Sequence, residues 1–192
     1  MARLIFITHP EVVVDPDVPV PRWRLSDAGV ARMRAFVATD VIANVTSVWA
    51  STETKAIEGA GILAARLGLG VSVDPSLGEN DRSSTGFLPP SEFEQVADEF
   101  FARPSTSVRG WESALDAQMR VSRVVASIVA QHDSAGDLAI VAHGAVGTLM
   151  LCNLLGEPIS RRRDQPFPGH YWTSSLPDLM VGCTWQPIAP RA

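Results

Sequence analysis

The sequence predicts an α/β protein of three layers, α/β/α, with a mostly parallel sheet, helices on both faces and a small helical insertion. Strand-like and helical patterns alternate as βαβαβ over the first 73 residues, an order that favours parallel strands joined by crossover helices. The apolar runs at residues 4–7 and 138–142 lack polar alternation and therefore suit strands buried on both faces. Each run stops at or near a histidine, so one edge of the sheet is expected to receive both His9 and His143.

Composition indicates one globular domain over residues 1–192. The chain is 46% hydrophobic and 19% charged, which is enough apolar material for a sizeable core. A net charge of −5 argues against a dedicated nucleic-acid binder, whose footprint would be basic. The two cysteines are too few for a disulfide scaffold or a thiolate metal site. With no secretory signal and no uninterrupted long apolar stretch, we expect a cytoplasmic protein without a membrane partner, and a homodimer stays open.

The first half of the chain supplies the βαβαβ order. A proline-rich loop at residues 10–21 precedes the first helix, whose predicted N-cap is Ser26. The second helix is amphipathic and is predicted to stop at Gly68. Strands are predicted at residues 4–7, 45–50 and 71–73.

Residues 77–132 do not continue the βαβαβ pattern and are interpreted as a loop and a helical cap inserted into the domain. Residues 77–90 are polar, rich in glycine and proline, and longer than a simple connection, so we interpret them as a functional loop. Helices are predicted at 91–102 and 111–132, with a third running from His143 to Leu155. Two short strands, predicted at 170–175 and 180–186, could pair at the edge of the sheet.

The two histidines form a candidate site because ligands of open α/β sheets bind outside the carboxyl ends of the strands. A neutral imidazole can attack phosphorus and carry the phosphoryl group, and a protonated second imidazole can stabilise the charge on its oxygens. The leaving alkoxide then needs an acid. Glu79 or Asp81 in the polar loop could supply that proton.

Two predicted helix starts beside the histidines suit an anion. Lys55 lies in the first turn of its helix, where the macrodipole disfavours a cation, so a bound anion would compensate it. Ser51 precedes that turn, and Gly144 opens the other helix, whose first backbone N–H groups are free to bind an anion.

Five segments, in chain order, resemble the histidine phosphatase superfamily, also called the phosphoglycerate-mutase-like family. They are the strand ending at His9, Leu25-Ser26-Asp27-Ala28-Gly29, Ser51-Thr52-Glu53-Thr54-Lys55-Ala56, Leu77-Gly78-Glu79 and Val141-Ala142-His143-Gly144. The resemblance implies a phosphoglycerate-mutase-like fold. It also implies that His9 is the phosphorylated nucleophile, His143 its charge-stabilising partner, Glu79 the acid/base and Lys55 the phosphate clamp.

The chain departs from the family at two positions. The family's first motif is Arg-His-Gly, whereas this chain has Thr8-His9-Pro10, and Lys55 replaces the second phosphate-binding arginine. A hydroxyl and a point charge thus replace two bidentate guanidinium groups, so the clamping of phosphoryl oxygens is expected to be weaker. Arg82, Arg22 or Arg24 could restore the missing charge from a loop.

The predicted function is that of a metal-independent phosphomonoester hydrolase that works through a phosphohistidine at His9, without a cofactor. Its expected ligands are a small phosphorylated substrate and inorganic phosphate. The residues predicted to bind them are Thr8, Ser51, Lys55, Arg82 and Gly144. The alternative is a catalytically weak or inactive module of the same fold that binds a phosphorylated ligand. A third hypothesis makes His9, His143 and a carboxylate a zinc or iron site, although no local metal-spacing motif supports it.

Overall fold

A computed structural model describes residues 2–132 and 135–191 of the chain. A six-stranded sheet runs through it in the order β3-β2-β4-β1-β5-β6. The strands are β1 (Arg3–Thr8), β2 (Val45–Ala50), β3 (Ser72–Val73), β4 (Asp137–Ala142), β5 (His170–Ser175) and β6 (Val181–Pro187). The helices are α1 (Asp27–Phe36), α2 (Thr54–Leu67), α3 (Pro90–Ala102), α4 (Ala114–Gln131) and α5 (Gly144–Leu154).

The centre of the sheet is parallel, which confirms the predicted fold class. β1 and β4 run side by side, with Thr8 opposite Ala142 at their carboxyl ends. β2 is parallel to both β4 and β3. The two predicted C-terminal strands pair antiparallel with each other, and β5 also pairs with β1, so of these two strands β6 alone lies at an edge of the sheet.

Helices cover both faces of the sheet because successive side chains of a strand point to opposite faces. Ile5 and Ile7 of β1 belong to the core shared with α1 and α2. Leu4 and Phe6 belong to the opposite core, shared with α4 and α5. The central strands are therefore buried on both sides, as their unbroken apolar runs predicted.

The segment interpreted as a cap, residues 77–132, divides into two parts in the structure. α3 packs in a separate cluster with Phe100, Trp111 and Leu149 as members. α4 instead places Val121 and Val125 in the core beneath the sheet. Most of the apolar face of α4 therefore packs on the sheet, whereas Ala114 and Ala117 at its start pack with α3.

The predicted helix ends at Ser26 and Gly68 are confirmed. The Ser26 hydroxyl accepts a hydrogen bond from the Gly29 N–H at 3.1 Å, and Gly68 takes the left-handed conformation with φ of 69°. α4 begins at Ala114 rather than Trp111, because Ser113 caps it by accepting from the Asp116 N–H.

Within residues 2–132 and 135–191, none of the helices combines the length and the apolar character needed to cross a bilayer. Both cysteines are free thiols. Cys152 is buried in α5 and Cys183 is half-buried in β6.

Candidate active site

The two predicted histidines lie together at the carboxyl ends of β1 and β4. The backbone N–H of His9 donates to the Ala142 carbonyl at 3.1 Å, which extends the parallel pairing by one residue. The imidazole centroids are 5.3 Å apart and the ring planes are inclined by 68°. The strand register therefore places the two imidazole rings next to each other.

His9 is held as a neutral imidazole. Its Nδ1 lies 2.8 Å from the carbonyl oxygen of Pro10, and since a carbonyl can only accept, Nδ1 carries the proton. Burial and the nearby Lys55 ammonium lower the pKa of His9 from 6.5 to about 4. Nε2 of His9 thus keeps a free lone pair at neutral pH, as a nucleophile requires.

His143 is fully buried behind His9. Its Nε2 lies 2.6 Å from the Ser51 hydroxyl and 3.3 Å from Oε1 of Glu53, whereas Nδ1 has no partner among the described residues. Burial lowers the pKa of His143 well below 6.5, and the Glu53 carboxylate opposes that shift. Ser51 therefore supports the second histidine, and a protonated His143 would have Nδ1–H left for a ligand oxygen.

Lys55, the predicted phosphate clamp, already has an anionic partner. Its buried ammonium donates to the Glu53 carboxylate and, at 3.0 Å, to the carbonyl oxygen of Val20. Burial alone would raise the pKa of Glu53, but the charges of His143 and Lys55 lower it to about 2. The anion expected at this helix start is therefore an internal carboxylate, and Lys55 does not line the cavity beside His9.

Glu79 occupies the other helix start. Its carboxylate accepts hydrogen bonds from the N–H groups of Ala145 and Val146 at 3.2 and 3.1 Å, in the first turn of α5. Burial raises the pKa of Glu79 above its ordinary value of 4.5. Asp81 is exposed, and hydrogen bonds from Ser83 lower its pKa. Of the two carboxylates, Glu79 has the environment of a general acid.

Arg120 of α4 holds the loop that carries Glu79. Its guanidinium donates to the carbonyl oxygens of Ser76, Gly78 and Glu79 at 2.8, 3.0 and 3.2 Å and is paired with a carboxylate of its own, Glu112. From the opposite side, the Glu79 N–H donates to Glu53 at 2.9 Å. The backbone of Glu79 is therefore held by hydrogen bonds at both its N–H and its carbonyl oxygen.

Thr8 supports the site from within the core. It is fully buried, accepts hydrogen bonds from the N–H groups of Gly169 and His170, and donates to Oε1 of Gln165 at 2.6 Å. This bond orients the Gln165 amide so that Nε2 lies over Gly144, 2.5 Å from where a Cβ of residue 144 would be. Thr8 thus does not reach a ligand itself, and Gly144 makes room for the amide of Gln165.

Arg82 is a cation that lines the cavity beside His9. Its guanidinium lies over the rings of Phe93 and Trp111, 4.9 and 6.0 Å from their centroids, and forms no ion pair with the described residues. Arg22 and Arg24, the other arginines expected to be able to restore the missing charge, are exposed and line no part of the cavity beside His9.

A cavity of about 360 Å³, here called the histidine cleft, opens beside these groups. His9, Glu79, Arg82, Gly144 and Gln165 are among its lining residues. Asn80 also lines it; this residue is buried and its Nδ2 has no partner among the described residues. Over that same part of the chain, no group of three or more His, Cys, Asp or Glu is placed to hold a metal ion.

Glu53, Arg120 and Gln165 are site residues that the sequence patterns did not indicate. Glu53 stands inside a motif whose predicted roles fell only on Ser51 and Lys55, and its charge next to a lysine was an available signal. Arg120 contacts Glu79 across a separation of 41 residues, and Gln165 contacts Thr8 across 157 residues. No local sequence pattern indicates such contacts.

Comparisons with known proteins identify a family and a fold. The family model described as histidine phosphatase superfamily (branch 1) matches residues 15–175, a range that contains Glu79 and His143 and begins just after His9. No curated protein matches the chain.

Solved structures share the fold at low identity. Bacillus stearothermophilus YhfR is 16% identical, with a TM-score of 0.79 and coverage of 100% of this chain and 99% of that one. A mycobacterial glucosyl-3-phosphoglycerate phosphatase is 19% identical, with a TM-score of 0.77 and coverage of 97% and 96%. The phosphoserine phosphatase of Entamoeba histolytica, in complex with 3-phosphoglyceric acid, is 14% identical, with a TM-score of 0.77 and coverage of 97% and 98%.

The family model spans most of the chain, the fold is shared along its whole length, and the two motif histidines meet at the carboxyl edge of the sheet. The protein belongs to the histidine phosphatase superfamily.

Proposed function

We propose that the protein is a phosphomonoester hydrolase that works through a phosphohistidine on His9. The observation that carries this proposal is the paired arrangement of the two imidazoles, 5.3 Å apart, with Nε2 of His9 unprotonated and without a hydrogen-bond partner among the described residues. Family membership supports the same chemistry.

The residues present support a two-step reaction. Nε2 of His9 attacks phosphorus, an N–P bond forms as the P–O bond to the leaving group breaks, and the leaving oxygen takes the proton of the Glu79 carboxyl. Water then attacks phosphorus while the Glu79 carboxylate takes a proton from it, and the N–P bond breaks to release phosphate and neutral His9. The raised pKa of Glu79 suits both roles.

In this chain, donors other than the two arginines of the family motif stabilise the charge on the phosphoryl oxygens. We assign this role to the unpartnered Nδ1 of His143, the guanidinium of Arg82 and the Nε2 amide of Gln165. Lys55 contributes to the electrostatic field, but its charge is offset by Glu53.

A small phosphorylated substrate fits this set of groups. Among the structural neighbours, the mycobacterial phosphatase forms a complex with inorganic phosphate and the Entamoeba enzyme forms one with 3-phosphoglyceric acid. We propose the same class of ligand, a small phosphate-bearing molecule, for this chain. We do not extend the particular ligands of these neighbours to it.

The test is turnover of a panel of phosphate monoesters in the presence of EDTA. Wild-type protein is expected to hydrolyse at least one ester, and His9→Ala should lower the rate by at least about 10³-fold because the nucleophile is lost. His132→Ala is the matched control, since His132 lies at the end of α4, does not line the histidine cleft, and has its Nε2 2.9 Å from the Gly136 carbonyl oxygen. Undiminished turnover in His9→Ala would refute the mechanism, and dependence on a metal would support the metal-site hypothesis.

A second candidate function is binding of a phosphorylated ligand without turnover. It is favoured by one observation, the internal pairing of Lys55 with Glu53 where a free phosphate-binding cation was predicted. Phosphate protection against thermal unfolding, with no hydrolysis by wild type or His9→Ala, would establish this function instead.

A further inference from the structure

Hydrogen bonds to protein acceptors occupy every N–H group of the Arg120 guanidinium. Nη1 donates to the carbonyl oxygens of Ser76 and Gly78 at 2.8 and 3.0 Å, and Nη2 donates to that of Glu79 at 3.2 Å. Nε and Nη2 also donate to the two carboxylate oxygens of Glu112, at 2.9 and 2.7 Å. Since a guanidinium has five N–H donors, none of them remains for a ligand.

Glu112 holds the same loop on the other side of the acid. Its Oε2 accepts a hydrogen bond from the Asp81 N–H at 3.2 Å, and its own N–H donates to the Asp81 carbonyl at 2.7 Å. The side chains of Arg120 and Glu112 are 26% and 18% exposed, and they form a bidentate pair, which is the strong form of such an interaction. The backbone before and after Glu79 is therefore fixed to α4 and to the residues just before it.

Arg120 is connected to the acid but not to the groups assigned to the phosphoryl oxygens. It lines no part of the histidine cleft. His143 directly follows β4, and Gln165 is hydrogen-bonded to Thr8. The guanidinium of Arg82 lies over two aromatic rings of the cluster that contains α3. A change at Arg120 is therefore expected to displace the Glu79 carboxyl more than it disturbs these donors.

We propose that Arg120, paired with Glu112, is a positioning residue for acid catalysis, which fixes the backbone of Glu79 so that its carboxyl reaches the leaving oxygen. The inference rests on the proposed function, since it concerns the first step of that reaction. A misplacement of about 1 Å can cost roughly 10²-fold in rate. The loss should fall on leaving groups that need a proton, because 4-nitrophenolate leaves without one.

The test compares two single-ring esters in one preparation, in the presence of EDTA. Benzyl phosphate has an alkoxide leaving group that needs a proton, whereas 4-nitrophenyl phosphate does not. Arg120→Lys keeps the positive charge and loses the fork, so it should lower kcat/KM for benzyl phosphate at least about tenfold relative to 4-nitrophenyl phosphate. A partly unfolded variant would lower both values and leave their ratio intact.

A double-mutant cycle with Glu79→Gln tests whether Arg120 acts through the acid. Glu79→Gln should lower the same ratio, and adding Arg120→Lys to it should lower the ratio no further. Arg123→Lys is the matched control and should leave the ratio unchanged. Arg123 lies one turn later on α4, is exposed and lines no part of the histidine cleft.

An unchanged ratio in Arg120→Lys would overturn the inference, because the bonds from Glu79 to the first turn of α5 would then position the acid by themselves. An equal fall of the ratio with and without Glu79→Gln would also overturn it, since Arg120 would act elsewhere. Wild-type turnover of 4-nitrophenyl phosphate alone would leave no working acid to position. Failure of the hydrolase proposal is distinguishable, because wild type would then turn over neither ester, and the positioning role would fall with it.

Discussion

Glu53 changes the electrostatics of the site more than its position in a turn suggests. One carboxylate contacts Lys55, the N–H of Glu79 and, at 3.3 Å, Nε2 of His143. It remains ionised, because Lys55 and His143 lower its pKa to about 2 despite its burial. A phosphate dianion that enters the cleft therefore meets a fixed negative charge, and part of its attraction to Lys55 is cancelled.

Replacing Glu53 with Gln is expected to tighten the binding of inorganic phosphate by about tenfold. The substitution removes one negative charge and keeps an oxygen that can accept from Lys55 or Glu79. At separations of several ångströms and an effective dielectric of about 20, one unit charge is worth roughly 1–3 kcal/mol. Isothermal titration calorimetry at pH 7 measures the change directly.

Glu99→Gln serves as the control for the Glu53 substitution. Glu99 is an exposed residue of α3 that pairs with Arg103, and it lines no part of the histidine cleft. Weaker phosphate binding in Glu53→Gln would show that the carboxylate acts mainly by favouring the protonated form of His143, which would reverse the sign of the effect.

At the scale of elements, the sequence predicted what short-range patterns determine. β1 and β4 were recognisable as unbroken apolar runs, and their shared direction placed His9 and His143 at one edge of the sheet. The ends of α1 and α2 followed from a capping serine and a terminal glycine. α4 could not be assigned to the sheet layer, because a buried helical face looks the same whether it packs on a cap or on strands.

The contacts that complete the site depend on pairings distant in sequence. Thr8 meets Gln165 and Arg120 meets the carbonyl of Glu79 only after the sheet and α4 have packed. The prediction that Lys55 binds phosphate required its ammonium to pair with an anion from solution rather than with a carboxylate of the chain. Residue type and spacing do not decide that question, but the folded position of Glu53 does.

Two helical glycines test how closely the first helix is packed against the loop after β1. Gly29→Ala in α1 should lower the free energy of unfolding by about 1–3 kcal/mol, because a Cβ there would lie 2.2 Å from the backbone oxygen of Glu11. Gly61→Ala in α2 should raise it by up to about 1 kcal/mol, because nothing lies within 4 Å and alanine favours helix. Urea denaturation of both variants measures the difference.

The Gly61 variant is the matched control, since both substitutions add one methyl group to a helix. Equal stability changes in the two variants would contradict the close approach of Glu11 to α1. That approach matters for the site because the N–H of Ser26 donates to the same Glu11 oxygen, so the proline-rich loop after His9 is held against the helix start.

At the scale of the whole molecule, the buried histidines couple the chemistry of the site to folding. The pKa of His9 is lowered from 6.5 to about 4, and that of His143 is also lowered, both mainly by burial. An unfolded chain binds these protons near pH 6.5, whereas the folded chain does not, so the unfolded state gains protons first as the pH falls. The contribution of these two histidines to the stability of the fold is therefore expected to decrease over the window from about pH 6.5 to pH 4.

Between pH 7 and pH 5, His9 alone is expected to remove about 2 kcal/mol from the free energy of unfolding. Glu53, with its pKa of about 2, loses its contribution only at lower pH, and the raised pKa of Glu79 acts in the opposite direction.

Urea unfolding of wild type and His9→Asn at both pH values isolates the contribution of His9 to the free energy of unfolding, because asparagine can still donate to the Pro10 carbonyl but does not titrate. The variant should lose about 2 kcal/mol less than wild type on acidification. An identical loss in both proteins would mean that folded His9 accepts a proton as readily as the unfolded chain does, which would contradict the burial of a neutral imidazole at this position.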